Sequence, residues 1–340
     1  MSKITAYARL LRIPGLGALG IPPVIGALTV GIMDGYTLIL LFLIGAVSAM
    51  YGFILNDYAD IELDRLIPEL KGKPLVDGTI HPKTAVFICF FLVLFAFFFL
   101  FLLWYGQNLD YTKFLAMTCI FLAGILGSIY DLYGKKFPGS DSLVAISMSF
   151  LFLLGALSFG TPTIITWIIF ILTFNQTMHM NAVEGGIKDA DHDFIMGVKN
   201  IALGSGVKVD GENLYIPPSF KAFGMCIRLC SAVLLFVPFF FFKKYLIYYE
   251  PWQPLIMGFL AVATFIVLFF SMKLISLKKF NRDAIRKYIG IQSFLRYSLV
   301  PIMLIPIIGI LPSAILIFFP IIWYIVFTPL LGEKLFRPRM

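Results

Sequence analysis

The chain has 340 residues, of which 60% are hydrophobic and only 14% charged, with a mean hydropathy of +0.92. A soluble domain carries roughly 25% charged residues, so this composition excludes a soluble globular protein and describes a polytopic, all-α protein integral to the lipid bilayer. The formal net charge of +8 then reflects loop asymmetry across a membrane rather than affinity for nucleic acid.

In chain order, Lys3, Arg9 and Arg12 precede a Gly/Pro-rich apolar run without a small-residue cleavage site, so that run is read as a retained helix. Hydropathy predicts spans over 14–32, 36–55, 84–104, 112–130, 143–160, 164–183, 223–242 and 254–277. The apolar stretch from about 288 to 331 is too long for one span of ~20 residues and is expected to make two, turning at Leu311-Pro312-Ser313. The bundle therefore has nine or ten spans. Basic residues crowd the amino terminus and the loops after the second, fourth, sixth and eighth spans, whereas the opposite loops hold only Lys113, Lys243 and Lys244. The positive-inside rule places the crowded side, with the amino terminus, in the cytoplasm. Lys334, Arg337 and Arg339 fit that side too and favour ten spans. The four cysteines, all within apolar runs and none in a C-x-x-C pair, are read as small buried side chains.

Two acidic stretches interrupt these basic loops. The first follows the second span and reads N-D-x-x-D-x-x-x-D: Asn56, Asp57, Asp60 and Asp64. Residues three and four apart share a helix face, so three carboxylates and an amide converge. Such a hard oxygen set suits Mg²⁺, which is commonly completed by substrate phosphates. The second follows the sixth span and contains Glu184, Lys188, Asp189, Asp191 and Asp193, with Asp189 and Asp193 again four apart. Recurrence of one device four spans later implies two pseudo-equivalent halves around a central cavity, both offering carboxylates to a common cytoplasmic mouth. Asn175, Gln176, Thr177, His179 and Asn181 lie near the end of the sixth span; polar groups at that depth either join helices or face a cavity.

These motifs resemble those of the UbiA-type intramembrane prenyltransferases. Asn56, Asp57, Asp60 and Asp64 match that family's first motif without a gap, Arg65 follows, and Lys73-Pro74-Leu75-Val76-Asp77-Gly78-Thr79-Ile80 resembles its R/K-P-L-x-x-G-x-I segment. Asp189 to Asp193 resembles the second motif, Gly197-Val198-Lys199-Asn200 the segment after it, and Tyr130 with Lys135 and Lys136 the tyrosine and basic residues after the fourth span. The likeness covers roughly residues 10–310 of a single domain, with 311–340 an extra helix and tail. Gly186 stands where members often carry another acidic residue, and 206–219 is a polar insertion with a turn at Asp210-Gly211.

The resemblance implies Mg²⁺-dependent transfer of a polyprenyl group from its diphosphate to a hydrophobic or aromatic acceptor. Asp57, Asp60, Asp64, Asp189 and Asp193 would hold two ions against the leaving group. Asn56, Arg65, Tyr130, Lys135, Lys136, Lys188 and Arg12 are the candidate substrate contacts, the cations through charge-assisted hydrogen bonds to phosphate. The first motif and its tail look most like archaeal members that make ether lipids; quinone-precursor aromatic acids are the other acceptor class. A competing reading is a transporter or lipid flippase with ion-binding acidic clusters, which would place its carboxylates in broken helices at mid-membrane.

Overall fold

The computed structural model describes residues 3–242 and 252–331. Lys243, Lys244, Lys334, Arg337 and Arg339 lie outside the described residues.

The predicted span over 14–32 is not one helix. It is replaced by α1 (Lys3–Leu10), a 3₁₀ turn (Ile13–Gly15), α2 (Leu16–Leu19) and α3 (Pro22–Leu28), with a 41° bend between the first helix and the rest. Pro14, Pro22 and Pro23 cannot donate to a preceding turn, and Gly15, Gly17 and Gly20 weaken the helix between them. At the bend Arg12 takes the left-handed conformation, φ 46°, which costs a non-glycine residue roughly 1–2 kcal/mol.

The other segments follow the hydropathy closely. α4 (Gly35–Ala59) begins where Asp34 accepts the Thr37 N–H and leads into α5 (Ile61–Asp64). α6 (Pro82–Trp104), α7 (Tyr111–Tyr133), α8 (Asp141–Leu157) and α9 (Ile164–Met178) come next, the last opened by a Thr163–Thr166 capping box. A π-helical turn (His179–Gly185) continues α9 into the short α10 (Gly186–Lys188), α11 (Ala190–Ile195) and α12 (Ile201–Gly204). The 206–219 insertion is ordered: β1 (Lys208–Asp210) and β2 (Asn213–Tyr215) pair antiparallel about Gly211, φ 56°, as the Asp-Gly signal predicts. Leu214 donates its N–H to the Lys278 carbonyl at 2.9 Å, fastening the hairpin to the segment before the ninth predicted span.

α13 (Pro218–Phe241), α14 (Gln253–Ile275), α15 (Arg282–Ile308) and α16 (Ile310–Leu330) complete the chain. The 288–331 stretch does divide, but at Gly309, φ 86°, and not at Leu311-Pro312-Ser313. Pro312 lies in the first turn of α16, where a missing N–H forfeits no intrahelical bond. Among the described residues, seven helices are long and apolar enough to cross a bilayer, or eight with the bent amino-terminal pair. α8, with 17 residues, reaches only ~26 Å against a hydrocarbon core of ~30 Å, and α9 has 15 residues before it passes into the π-helical turn. The expected nine or ten crossings are therefore not reproduced by this measure, although ten apolar segments are present.

The helices form a ring around a cavity. α4 packs on α6 and α7, α7 on α8, α8 on α9, α9 on α13, α13 on α14, α14 on α15 and α15 on α16; α16 returns to α2 and its 3₁₀ turn. That closure is specific: Trp323 Nε1 donates to the Ile13 carbonyl at 2.8 Å, and Arg9 to that of Leu331 at 3.1 Å. Outward faces carry Phe87, Phe90, Phe259, Phe265 and Phe318, all exposed, as helices solvated by lipid do. Cys89 and Cys119 are buried, but Cys226 and Cys230 are exposed on α13, contrary to the sequence reading; all four are free thiols.

α3 and α8 meet almost backbone to backbone. A Cβ on Gly26 would lie 2.0 Å from the Phe152 carbonyl oxygen, and one on Gly155 1.8 Å from that of Pro23. Small residues permit such approaches in membranes, so Gly155→Leu is expected to destabilise the fold by more than the ~1–3 kcal/mol of ordinary overpacking. A detergent thermal-denaturation assay should show a clear loss of folded protein; an unchanged midpoint contradicts the close packing.

Candidate active site

The first motif sits where α4 gives way to α5. Asp60 (φ −90°, ψ −3°) joins them, yet its N–H still reaches the Asn56 carbonyl at 3.0 Å and the Asp64 N–H reaches its own at 2.8 Å. The helical register is kept, so Asp57, Asp60 and Asp64 stay together, all buried. Three clustered carboxylates repel one another, and each is met by a cation from another segment. Lys73 Nζ bridges Asp57 Oδ1 at 3.1 Å and Asp64 Oδ2 at 2.7 Å. Arg12 Nη2 lies 3.0 Å from Asp57 Oδ1, its guanidinium over the Phe53 ring. Lys135 Nζ lies 2.7 Å from Asp60 Oδ2.

The second motif is built on α10 to α12. Lys188 Nζ pairs with Asp189 Oδ2 at 3.2 Å, Asn200 Nδ2 donates to Asp193 Oδ2 at 2.7 Å, and Arg282 pairs with Asp191. Burial, followed by the neighbouring Asp189 charge, pushes the Asp193 carboxyl up to about 7 despite Lys135 and Lys188. Burial also raises Asp60, with Lys135 working against it. Burial opposes the charge on Lys73, but Asp57 and Asp64 outweigh it and the ammonium is held more firmly than usual.

Both motifs open on one cavity of about 1270 Å³. Asn56, Asp60, Asp64 and Lys73 form part of its wall; Asp189, Asp193 and Lys188 form another; Arg12, Tyr130 and Lys135 lie between. The two motif loops approach through His192 Nε2, 3.9 Å from Glu69, and the second also reaches the loop after α7 through the Lys199 N–H on the Lys135 carbonyl at 2.9 Å. Three candidates fall elsewhere. Asp57 stands behind the wall, anchoring Arg12 and Lys73. Arg65 is exposed and paired with Glu62 at 2.7 Å. Lys136 is exposed, its Nζ over the Tyr133 ring.

The sequence reading assigned no role to Lys73 beyond its motif, nor to Asn200 as the donor to Asp193. It also passed over a buried network further in. Glu184 accepts from Arg296 Nη1 at 2.6 and 2.8 Å and from Arg228 Nη2 at 2.8 Å. The signal was available: an arginine inside a predicted span is rarely idle. Gly186, in place of an acidic residue, has a packing reason, since a Cβ there would lie 2.5 Å from the Ala202 Cβ. The polar set in α9 divides: Asn175 bonds Ser231 on α13 at 3.2 Å, while Asn181 lines the cavity.

Among the described residues no three His, Cys, Asp or Glu side chains converge closely enough to hold a metal alone. The donor set nevertheless fits Mg²⁺. It is oxygen only, and the Lys73 ammonium already lies between two carboxylates, as a cation must. An ion that keeps its waters and shares phosphate oxygens needs few protein ligands.

The UbiA prenyltransferase family profile matches residues 19–299. The chain belongs to that family. Among curated relatives, a 4-hydroxybenzoate octaprenyltransferase of Vesicomyosocius okutanii is 28% identical over 170 residues, 49% of this chain and 58% of the relative. One from Francisella tularensis subsp. mediasiatica is 27% identical over 173 residues, 50% of this chain and 57% of that protein. The chain thus spans little more than half the length of these relatives. Among solved structures, a UbiA homologue from Archaeoglobus fulgidus bound to GPP and Mg²⁺ superposes with a TM-score of 0.61 at 20% identity, covering 94% of this chain and 99% of that one. A structure described for digeranylgeranylglyceryl phosphate synthase in membranes gives 0.61 at 17%, covering 91% and 100%. At these identities the likeness is one of fold.

Because Lys73 occupies the space between Asp57 and Asp64, it competes with any metal there. Lys73→Gln should lower the melting temperature without Mg²⁺, and added Mg²⁺ should restore more stability to it than to the wild-type protein. Equal Mg²⁺ responses in the two proteins contradict a shared place.

Proposed function

We propose that this protein transfers a polyprenyl group from a polyprenyl diphosphate to a hydrophobic or aromatic acceptor inside the membrane. The observation that carries this reading is one shared cavity, walled by Asp60, Asp64, Asp189 and Asp193 together with Lys73, Lys135 and Lys188, at the ends of the helices. An ion-coupled transporter would place such groups in broken helices at mid-depth. The family and the oxygen donor set support the transferase instead.

Transfer breaks the bond between the allylic carbon and the diphosphate oxygen, whose electron pair leaves with the diphosphate. The acceptor's nucleophilic atom then bonds that carbon and loses a proton. Mg²⁺, held by Asp60, Asp64, Asp189 and Asp193, would supply Lewis-acid neutralisation of the departing charge. Arg12, Lys73, Lys135 and Lys188 would contribute hydrogen bonds to phosphate oxygens. Phe53, Tyr130, Phe294, Tyr297 and Tyr324 are on the cavity wall; aromatic faces stabilise an allylic cation and keep water from it. Tyr58, adjacent to the motif in sequence, is exposed and outside this wall.

Asp60→Asn and Asp64→Asn keep size and lose charge, and each should abolish Mg²⁺-dependent release of diphosphate. Asp60→Ala and Asp193→Ala should each lower the single-turnover rate severely, and the double variant should be little worse than the poorer single, because groups acting as a unit are non-additive. Multiplicative losses would mean that the two motifs serve different substrates.

The same reading places both loops on the cytoplasmic face. In a cysteine-free background, a thiol label at position 73 or 192 should react from the cytoplasmic side and one at Asn108 from the other. Labelling of 73 and 192 from opposite sides is incompatible with one mouth.

A further inference from the structure

No residue of the polar insertion at 206–219 lines the main cavity, yet the insertion is built into the molecule behind the second acidic motif. Residues 278–280 run beside β2 as a third strand: Asn213 pairs with Lys279, and the Phe280 N–H reaches the Glu212 carbonyl at 2.8 Å. The insertion's apolar side chains Val207, Leu214 and Ile216 are buried in one cluster with Ile187 of α10 and Ala190 of α11. Arg282, the first residue of α15, follows the third strand at once. Its backbone is pinned on both sides, by Phe280 on the hairpin and by Asn281, whose side chain accepts the Ala284 N–H at 3.0 Å.

From that fixed point the Arg282 guanidinium reaches the second motif with two of its donors. Nε donates to the Lys188 carbonyl at 3.3 Å, and Nη2 pairs with Asp191. These contacts fall on either side of Asp189. Lys188 ends α10, Asp191 lies in the first turn of α11, and Asp189 (φ −108°, ψ 9°) is the joint between them. The two helices have only three and six residues. Helices so short do not hold themselves, because a first turn fixes several dihedrals for one hydrogen bond. Their orientation has to be supplied by neighbours. A lone exposed ion pair contributes little, but a planar guanidinium that spans a joint fixes an angle as well as a distance. Asp191 itself is outside the cavity wall, whereas Asp189 and Asp193 are part of it.

We propose that Arg282 and Asp191 form a strap that aims Asp189 and Asp193 into the cavity, and that the 206–219 hairpin holds the strap in place. This rests on the prenyltransferase reading, in which Asp189 and Asp193 hold an ion, and it gives Asp191, Arg282 and the insertion a part in that site. Arg282 is a positioning residue: it acts through the two helical fragments it joins. It also borders the cavity, so a direct contact with phosphate is the competing role. The two roles differ in what the loss of Asp191 does. A strap fails when either end is cut. A phosphate-binding arginine would instead be freed by losing its carboxylate, and would bind more tightly.

The test uses the full chain in nanodiscs at one fixed pH. The first readout is amide hydrogen exchange without metal. The Asp189 and Asp193 amides donate to the Gly185 and Asp189 carbonyls. In Asp191→Asn and in Arg282→Gln the 189–193 segment should exchange at least about tenfold faster, while the segment holding Asp60 and Asp64 keeps its rate. The second readout is binding of Mn²⁺, a paramagnetic stand-in for Mg²⁺, with inorganic diphosphate present. Each single variant should bind about tenfold more weakly, as is common for groups that orient metal ligands. The double variant should be no weaker than the poorer single, because the two residues act as one unit. Leu214→Ala loosens the hairpin and leaves Arg282 in place; it should shift both readouts in the same direction by a smaller factor. Unchanged exchange at 189–193 in both single variants overturns the strap. So does tighter Mn²⁺–diphosphate binding in Asp191→Asn beside weaker binding in Arg282→Gln, which would assign Arg282 to phosphate. Wild-type behaviour of Leu214→Ala in both readouts overturns the hairpin's part. Absence of Mn²⁺-dependent diphosphate binding in the wild-type protein would overturn the prenyltransferase reading, and the metal-free exchange would still decide the strap.

Discussion

Carboxylates gathered at the end of a membrane helix must be neutralised, and the cations that do so tie the first half of this protein together. None of those cations comes from α4 itself. Arg12 arrives from the bend before α2, Lys73 from the loop beyond α5 and Lys135 from the loop beyond α7. Removing one partner of a buried pair leaves its fellow charged and alone, at about 3–5 kcal/mol. The acidic motif therefore orders three surrounding segments before any ligand arrives. On the proposed function these pairs would be exchangeable, because a diphosphate and a divalent cation together carry both signs of charge.

The acidic motifs were legible because helix geometry is regular. Spacings of three and four do place Asp57, Asp60 and Asp64 together, even though the helix is interrupted at Asp60. That interruption was not legible, since one residue with ψ near zero leaves no mark in composition. The first span misled for a plainer reason: hydropathy sums apolar character and ignores where prolines and glycines deny a helix its hydrogen bonds. The last break was misplaced because proline was read as the stronger punctuation, when a proline in a first turn costs nothing and Gly309 supplies the positive φ. Among the candidate contacts, Lys135 and Lys188 reach the cavity while Arg65 and Lys136 do not; adjacent loop residues point in different directions, and no periodicity governs them.

The buried network was within reach of the sequence but was obscured by the search for acidic clusters. Arg228 and Arg296 stand alone within apolar runs, and what they bind became visible only in three dimensions. Glu184 reaches them from a π-helical turn, whose extra residue rotates the following side chains relative to a regular helix. Such turns are frequent at functional sites. Here one changes which way an acidic residue faces, so that Glu184 serves the arginines while Asp189 and Asp193, a few residues on, serve the mouth.

The ring of helices is closed by its two ends, with Trp323 of α16 hydrogen-bonded to the Ile13 carbonyl and packed beside Gly17. This imposes an order on biogenesis. The segment around Ile13 has its neighbour some three hundred residues later, at Trp323, so until α16 is made the nascent bundle is an open arc whose inner face, arginines included, is incompletely covered. The ring closes only when α16 has been inserted. Its polar interior thus acquires its full surroundings late, and a ribosome stalled before residue 323 would leave a helical but open ring.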